Sequence, residues 1–92
     1  MMQHVPGENR GKITLYALST CGWCQKTKNF LDELGVEYSY VYVDLLEGEE
    51  KESVINEVRR WNPHCSFPTV VADEQTCIVG YDKQKIKEAI GL

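Results

Sequence analysis

The stretch KITLYALSTCGWCQKTKNFLDELG, residues 12–35, decides the fold. Its first seven residues, KITLYAL, are rich in strand formers and almost continuously apolar, the pattern of a strand buried on both faces. From Trp23 the period changes. Trp23, Thr27, Phe30, Leu31 and Leu34 recur at helical spacing and predict a helix over 23–34. Gly35 follows where a helix commonly ends on a left-handed residue. Between strand and helix stand Cys21, Gly22, Trp23 and Cys24. A C-x-x-C pair is therefore set at the mouth of a helix.

Outward from this unit, residues 38–44 (YSYVYVD) form a second strand rich in aromatic and β-branched residues. Gly48 breaks the chain, and Glu47, Glu49 and Glu50 suit the start of a second helix, where the dipole favours negative charge. Val54, Ile55, Val58 and Trp61 supply its apolar stripe. Asn62-Pro63 ends it, because the residue before proline avoids helical geometry. Pro68 closes the next loop. Residues 69–72 and 76–79 read as a hairpin around Asp73-Glu74-Gln75. Asp82 is placed to cap a last helix, with Ile86, Ala89 and Ile90 facing inward and Gly91 near its end.

The predicted order is β-α-β-α-β-β-α. Its first β-α-β unit should be parallel and right-handed. The hairpin then completes a four-stranded mixed α/β sheet flanked by helices on both faces. Residues 1–11, with Pro6, Gly7 and little to bury, read as a flexible extension ahead of one domain over 12–92.

Composition narrows the function. The 92 residues suit a single domain, and 42% hydrophobic with 26% charged is ordinary for a globular chain. The net charge of −4 argues against a nucleic-acid binder, which carries a basic excess. No apolar run approaches the roughly 20 residues of a membrane helix. Residues 1–10 have no apolar core, so no secretory signal is expected. The four cysteines, Cys21, Cys24, Cys65 and Cys77, then fit a reducing, cytoplasmic setting better than a secreted disulfide scaffold.

The location of the pair carries the chemistry. Unpaired amides and the dipole at a helix N-terminus stabilise a thiolate, and cysteine pKa values in such settings fall from about 8.5 to roughly 3.5–7.5. Residues three apart on a helical turn are about 5–6 Å apart at Cβ, and a disulfide closes at about 3.5–4.5 Å. Small adjustments at the terminus therefore suffice to bridge them. Gly22 has no side chain to screen Cys21. Cys21 is expected to be exposed and nucleophilic, and Cys24 more buried and resolving. Two alternatives stay open at this point: half of a zinc site, with His64 and Cys65 at unusual spacing, and a structural disulfide without turnover. Cys65 reads as an incidental loop cysteine near the site, with a third redox thiol or a metal ligand as its alternatives, and Cys77 as a small apolar strand residue. Trp23 is expected on the surface beside Cys21.

Four features together resemble the glutaredoxins. They are the strand leading into Cys21-Gly22-Trp23-Cys24, the Ser66-Phe67-Pro68 loop entering a strand, the Val79-Gly80-Tyr81-Asp82 turn, and the element order. The similarity spans about residues 12–92 and implies a thioredoxin-like fold of the glutaredoxin type. It implies thiol–disulfide oxidoreductase activity through Cys21 and Cys24. It also implies a cis bond at Phe67-Pro68, with the Phe67 backbone pairing with substrate as an added strand. Gly80, Tyr81 and Asp82 match the turn that contacts the γ-glutamyl end of glutathione, so Gly22, Trp23, Phe67, Pro68, Gly80, Tyr81 and Asp82 are the implied substrate contacts.

Members that use glutathione commonly carry a lysine three residues before the first cysteine and a glycine at the start of the last turn. Here those positions are Leu18 and Val79. The chain also resembles redoxins reduced by a flavin reductase, so glutathione and such a reductase both stand as electron donors. Disulfide-containing proteins or small thiols are the implied partners of a monomer that holds no tightly bound cofactor and no metal. The alternative within the same resemblance is an iron–sulfur or zinc carrier that uses Cys21, with the cluster bridged between two chains.

Overall fold

The computed structural model describes residues 2–92. Nine elements follow one another: β1 (Gln3–Val5), β2 (Ile13–Ala17), α1 (Gly22–Leu34), β3 (Tyr38–Tyr42), a single 3-10 turn (Val43–Leu45), α2 (Gly48–Trp61), β4 (Thr69–Ala72), β5 (Thr76–Val79) and α3 (Lys83–Ala89). The strands form one sheet in the order β1-β3-β2-β4-β5. β2 and β3 are parallel, joined by α1, and the remaining pairings are antiparallel.

Alternation along the central strands builds a core on each face. Ile13, Leu15 and Ala17 of β2 and Val70 of β4 meet Leu31 of α1 and Ile86 of α3 in one buried cluster. Tyr16, Val41 and Val71 point the other way and pack with Val54 and Val58 of α2. All five residues of β2 are buried, as expected of a central strand covered by helices on both sides. α1 ends on Gly35, whose φ of 69° is left-handed and whose N–H donates to Asp32 O at 3.1 Å. The Tyr38 hydroxyl reaches Asp32 Oδ1 at 2.5 Å and ties β3 to α1.

Two expectations need correction. The sheet has five strands rather than four, and the segment read as a flexible extension over 1–11 supplies the additional one. Gln3, His4 and Val5 pair antiparallel with Tyr40, Ser39 and Tyr38 along the otherwise open edge of β3. Beyond the strand, Glu8 N donates to Gly35 O and Glu37 N to Glu8 O, each at 2.8 Å. An edge strand held by its backbone leaves little signature in side-chain hydrophobicity, and Val5 is its only half-buried residue. Gly7 passes so close to the Gly35–Val36 backbone that a Cβ there would lie 2.6 Å from Gly35 O.

Candidate functional site

Strand register gathers the site at one end of the sheet. Ala17, the last residue of β2, lies opposite Tyr42, the last of β3. Thr69, the first of β4, lies opposite Tyr16 and Val79. The loops after β2, β3 and β5 and the loop before β4 therefore open at the same end of the sheet. They carry the C-x-x-C pair, Asp44, the Gly80 turn and Pro68.

Cys21 caps α1. Its backbone is extended at φ −94° and ψ 118°, and its sulfur accepts the Cys24 N–H at 3.2 Å. This is the place and the bond that Ser, Thr, Asp or Asn would take at an N-cap. Cys21 is half-buried rather than fully open, packed against the cluster that Phe67 and Tyr81 also border. Gly22 is exposed, with nothing within 4 Å of where a Cβ would be. Cys24 points inward at 1% exposure, and its sulfur accepts the Leu18 N–H at 3.5 Å. Burial pushes the Cys24 thiol up to about 12, and its hydrogen bond with Cys21 acts in the same direction. The two sulfurs are thus inequivalent: one at the helix mouth, the other beneath it.

Phe67–Pro68 is cis. Pro68 is buried and its carbonyl accepts the Gly80 N–H at 2.9 Å, which joins the proline loop to the last turn. Gly80 has a φ of 83°, open to glycine at little cost. Asp82 caps α3 by accepting the Lys85 N–H at 3.0 Å. Trp23 is 59% exposed, and its ring lies 6.0 Å from that of Tyr81. The structure therefore brings Trp23 and Tyr81 together beside Cys21, and Pro68 together with Gly80.

Two supports were not anticipated. Asp44, in the turn after β3, accepts from Ser19 N at 2.8 Å and from the Ser19 hydroxyl at 2.5 Å, so it clamps the loop that leads into Cys21. The Ser19 hydroxyl and then the Ser19 amide hold the Asp44 carboxyl below its usual range. On the other side, the buried Asn62 amide donates to Ser66 O, Ser66 Oγ and Thr69 Oγ1 at 3.2, 3.0 and 3.2 Å. Thr69 Oγ1 donates in turn to Ser66 O at 2.7 Å. In the sequence Asn62 signalled only the end of a helix. Its second role depends on the loop folding back seven residues later.

Cys65 is half-buried against the α2-side core with a left-handed φ of 50°. Cys77 is half-buried on β5, and burial pushes its thiol up. Among the described residues, no group of three or more His, Cys, Asp or Glu side chains is arranged to hold a metal ion. No described helix is long and apolar enough to cross a membrane.

Known proteins match this architecture throughout. The glutaredoxin family model matches residues 13–77. A glutaredoxin from Methanosarcina mazei Go1 superposes with a TM-score of 0.94 at 50% identity, covering 99% of this chain and 88% of its own. Methanoredoxin from Methanosarcina acetivorans gives 0.90 at 52% identity, covering 94% and 90%. The gene 56 protein of Mycobacterium phage D29 is 35% identical over 78 residues, 85% of this chain and 81% of the phage protein. A five-stranded thioredoxin-like sheet, a C-x-x-C pair capping its first helix and a family match spanning both core faces lead to one assignment: this chain belongs to the glutaredoxin family.

Proposed function

We propose that the protein is a dithiol disulfide reductase in which Cys21 attacks and Cys24 resolves. The observation that carries the reading is the Cys24 N–H aimed at Cys21 Sγ from 3.2 Å, at the open amide end of α1. The open amide end of a helix is a setting in which cysteines serve as nucleophiles. Cys24, buried and held protonated, does not compete for the first attack.

Cys21 sulfur attacks one sulfur of a disulfide R–S–S–R′. The S–S bond breaks, R′S⁻ leaves and takes a proton from water, and R remains linked to Cys21. Cys24 then gives up its proton and attacks Cys21 Sγ. RSH departs and a Cys21–Cys24 disulfide remains, holding the two electrons' worth of oxidation. An external dithiol or two equivalents of glutathione return the pair to thiols. Gly22 and Trp23 face the incoming disulfide, the Phe67 backbone pairs with its chain, and Pro68, Gly80, Tyr81 and Asp82 complete the wall. Asp44 keeps the loop ahead of Cys21 in register.

Turnover of bis(2-hydroxyethyl) disulfide, an uncharged substrate, tests the assignment. Cys21→Ser should abolish it, and Cys24→Ser should accumulate a mixed disulfide on Cys21 visible by mass. Substantial turnover in Cys21→Ser would overturn the reading. Running the wild type with glutathione and, separately, with a flavin-dependent thiol reductase identifies the electron donor.

A further inference from the structure

Beside the pair, the Trp23 and Tyr81 rings extend into a surface that carries two lysines with no role in the thiol exchange itself. Lys26 Nζ sits 4.6 Å from the centre of the Trp23 ring. Lys83 Nζ sits 5.4 Å from the Phe30 ring and 5.9 Å from the Tyr81 ring. Trp23 and Phe30 both flank Tyr81, at 6.0 and 6.4 Å between ring centres. Trp23 and Tyr81 thus form a shelf backed by the buried Phe30 ring, with one ammonium group beside Trp23 and the other beside Tyr81 and Phe30. Lys26, Asn29, Phe30, Glu33, Tyr81 and Lys83 line a single cavity of about 310 Å³ on it.

The two ammonium groups are held but not neutralised. Among the described residues neither takes part in an ion pair, whereas Lys12 and Lys28 each have a carboxylate partner. Glu33 is the single acid lining the cavity, so its rim stays cationic. The wider charge distribution points the same way. α1 and α3 with its cap hold five lysines against four acids, and the rest of the chain holds five basic against ten acidic residues. The two helices that border the shelf are thus slightly basic on an otherwise acidic molecule, and Lys26 and Lys83 set the charge of the shelf itself. Such an arrangement orients an acidic partner during encounter and repels a basic one.

We propose that this shelf docks an acidic segment of a disulfide-bearing protein, with Lys26 and Lys83 reading carboxylates near the target cysteine and Trp23 and Tyr81 covering the apolar part of the same segment. The inference rests on Cys21 being the attacking thiol. A polypeptide fits better than a lone small anion for two reasons. The charges lie at both ends of the shelf, and its Trp23 ring is 59% exposed, a wide apolar contact for a chain.

The test uses two peptide disulfides, identical except that the residues flanking cysteine are Glu in one and Gln in the other. The readout is the ratio of kcat/KM values, acidic over neutral. Wild-type protein should prefer the acidic peptide by about five- to tenfold at low salt, within the range of electrostatic steering, and lose most of that preference at high salt. Lys26→Gln/Lys83→Gln should bring the ratio close to one. Lys12→Gln/Lys51→Gln, with the same change in net charge away from the shelf, should keep it. A ratio equal in all three proteins overturns the proposal. So does a lysine dependence confined to 3,3′-dithiodipropionate, a small dianionic disulfide, with none for the peptide.

A second measurement separates this from the redox reading. Titrating Cys21→Ser with the acidic peptide, its cysteine replaced by serine, should shift amide signals of residues 23–33 and 81–84 saturably. Saturable shifts there without any wild-type turnover would uphold the dock and sink Cys21 as nucleophile. Absent or scattered shifts would sink the dock.

Discussion

Cys24 gives a prediction whose size follows from its burial. Its thiol has an ordinary value of 9.0 and is pushed up to about 12 in the folded protein, chiefly by desolvation. The raised value means that folding favours the protonated thiol. That stability is fully present below pH 9 and is lost as pH rises toward 12. At pH 10.5 the unfolded thiol is almost wholly ionised and the folded one is not, a gap of about 1.5 pH units. At about 1.36 kcal/mol per unit the wild type should lose about 2 kcal/mol between pH 7.5 and pH 10.5 through this group alone. Tyr16, Tyr38 and Cys77 are also raised by burial and lose stability over overlapping pH ranges, so a difference measurement is needed. Cys24→Ala removes the Cys24 contribution and leaves those of Tyr16, Tyr38 and Cys77 in place. Urea unfolding of both proteins under strong reductant, at the two pH values, isolates it. At a slope of about 1 kcal/mol per molar urea, the wild-type midpoint should fall by about 2 M more than that of the variant. Parallel falls would show that Cys24 ionises as readily folded as unfolded, and the argument for its inequivalence with Cys21 would fail.

Two further outcomes concern the supports around the site. Gly7→Ala places a methyl group against the Gly35–Val36 backbone and should destabilise the protein by about 1–3 kcal/mol in chemical denaturation, with the loss seen first in amide exchange along Gln3–Val5. A wild-type midpoint in that variant would mean the N-terminal segment is not held as described. Asp44→Ala frees Ser19 and the loop into Cys21, and should lower kcat/KM for bis(2-hydroxyethyl) disulfide by about three- to tenfold, as misplacement of a reacting group does. Asp44→Asn keeps an acceptor for Ser19 and should recover part of the loss; equal rates in both variants and the wild type would remove Asp44 from the site.

Much of this protein was legible in residues 12–35 and in the segments C-terminal to them. Local signals were enough for the buried central strand, the helix closed by Gly35, the hairpin over 69–79 and the Asp82 cap, because each is written in period, capping chemistry or turn residues within a few positions. The C-x-x-C pair at a strand–helix junction was legible for the same reason. The cis peptide at Phe67–Pro68 came from family resemblance, not from any local rule, as did the proposed substrate contacts of Gly80, Tyr81 and Asp82.

Tertiary structure alone decided the pairings between segments distant in the chain. β1 exists because β3 offers an open edge to a backbone that is poor in apolar side chains. Asp44 reaches Ser19 across 25 residues, and Asn62 becomes the brace of the proline loop only when that loop returns to it. Lys26 and Lys83 share one shelf because α1 and α3 cover the same face of the sheet. Sequence periodicity reports which face of an element is buried. Which polar groups meet across the fold is set by strand order and register, and those are properties of the folded chain.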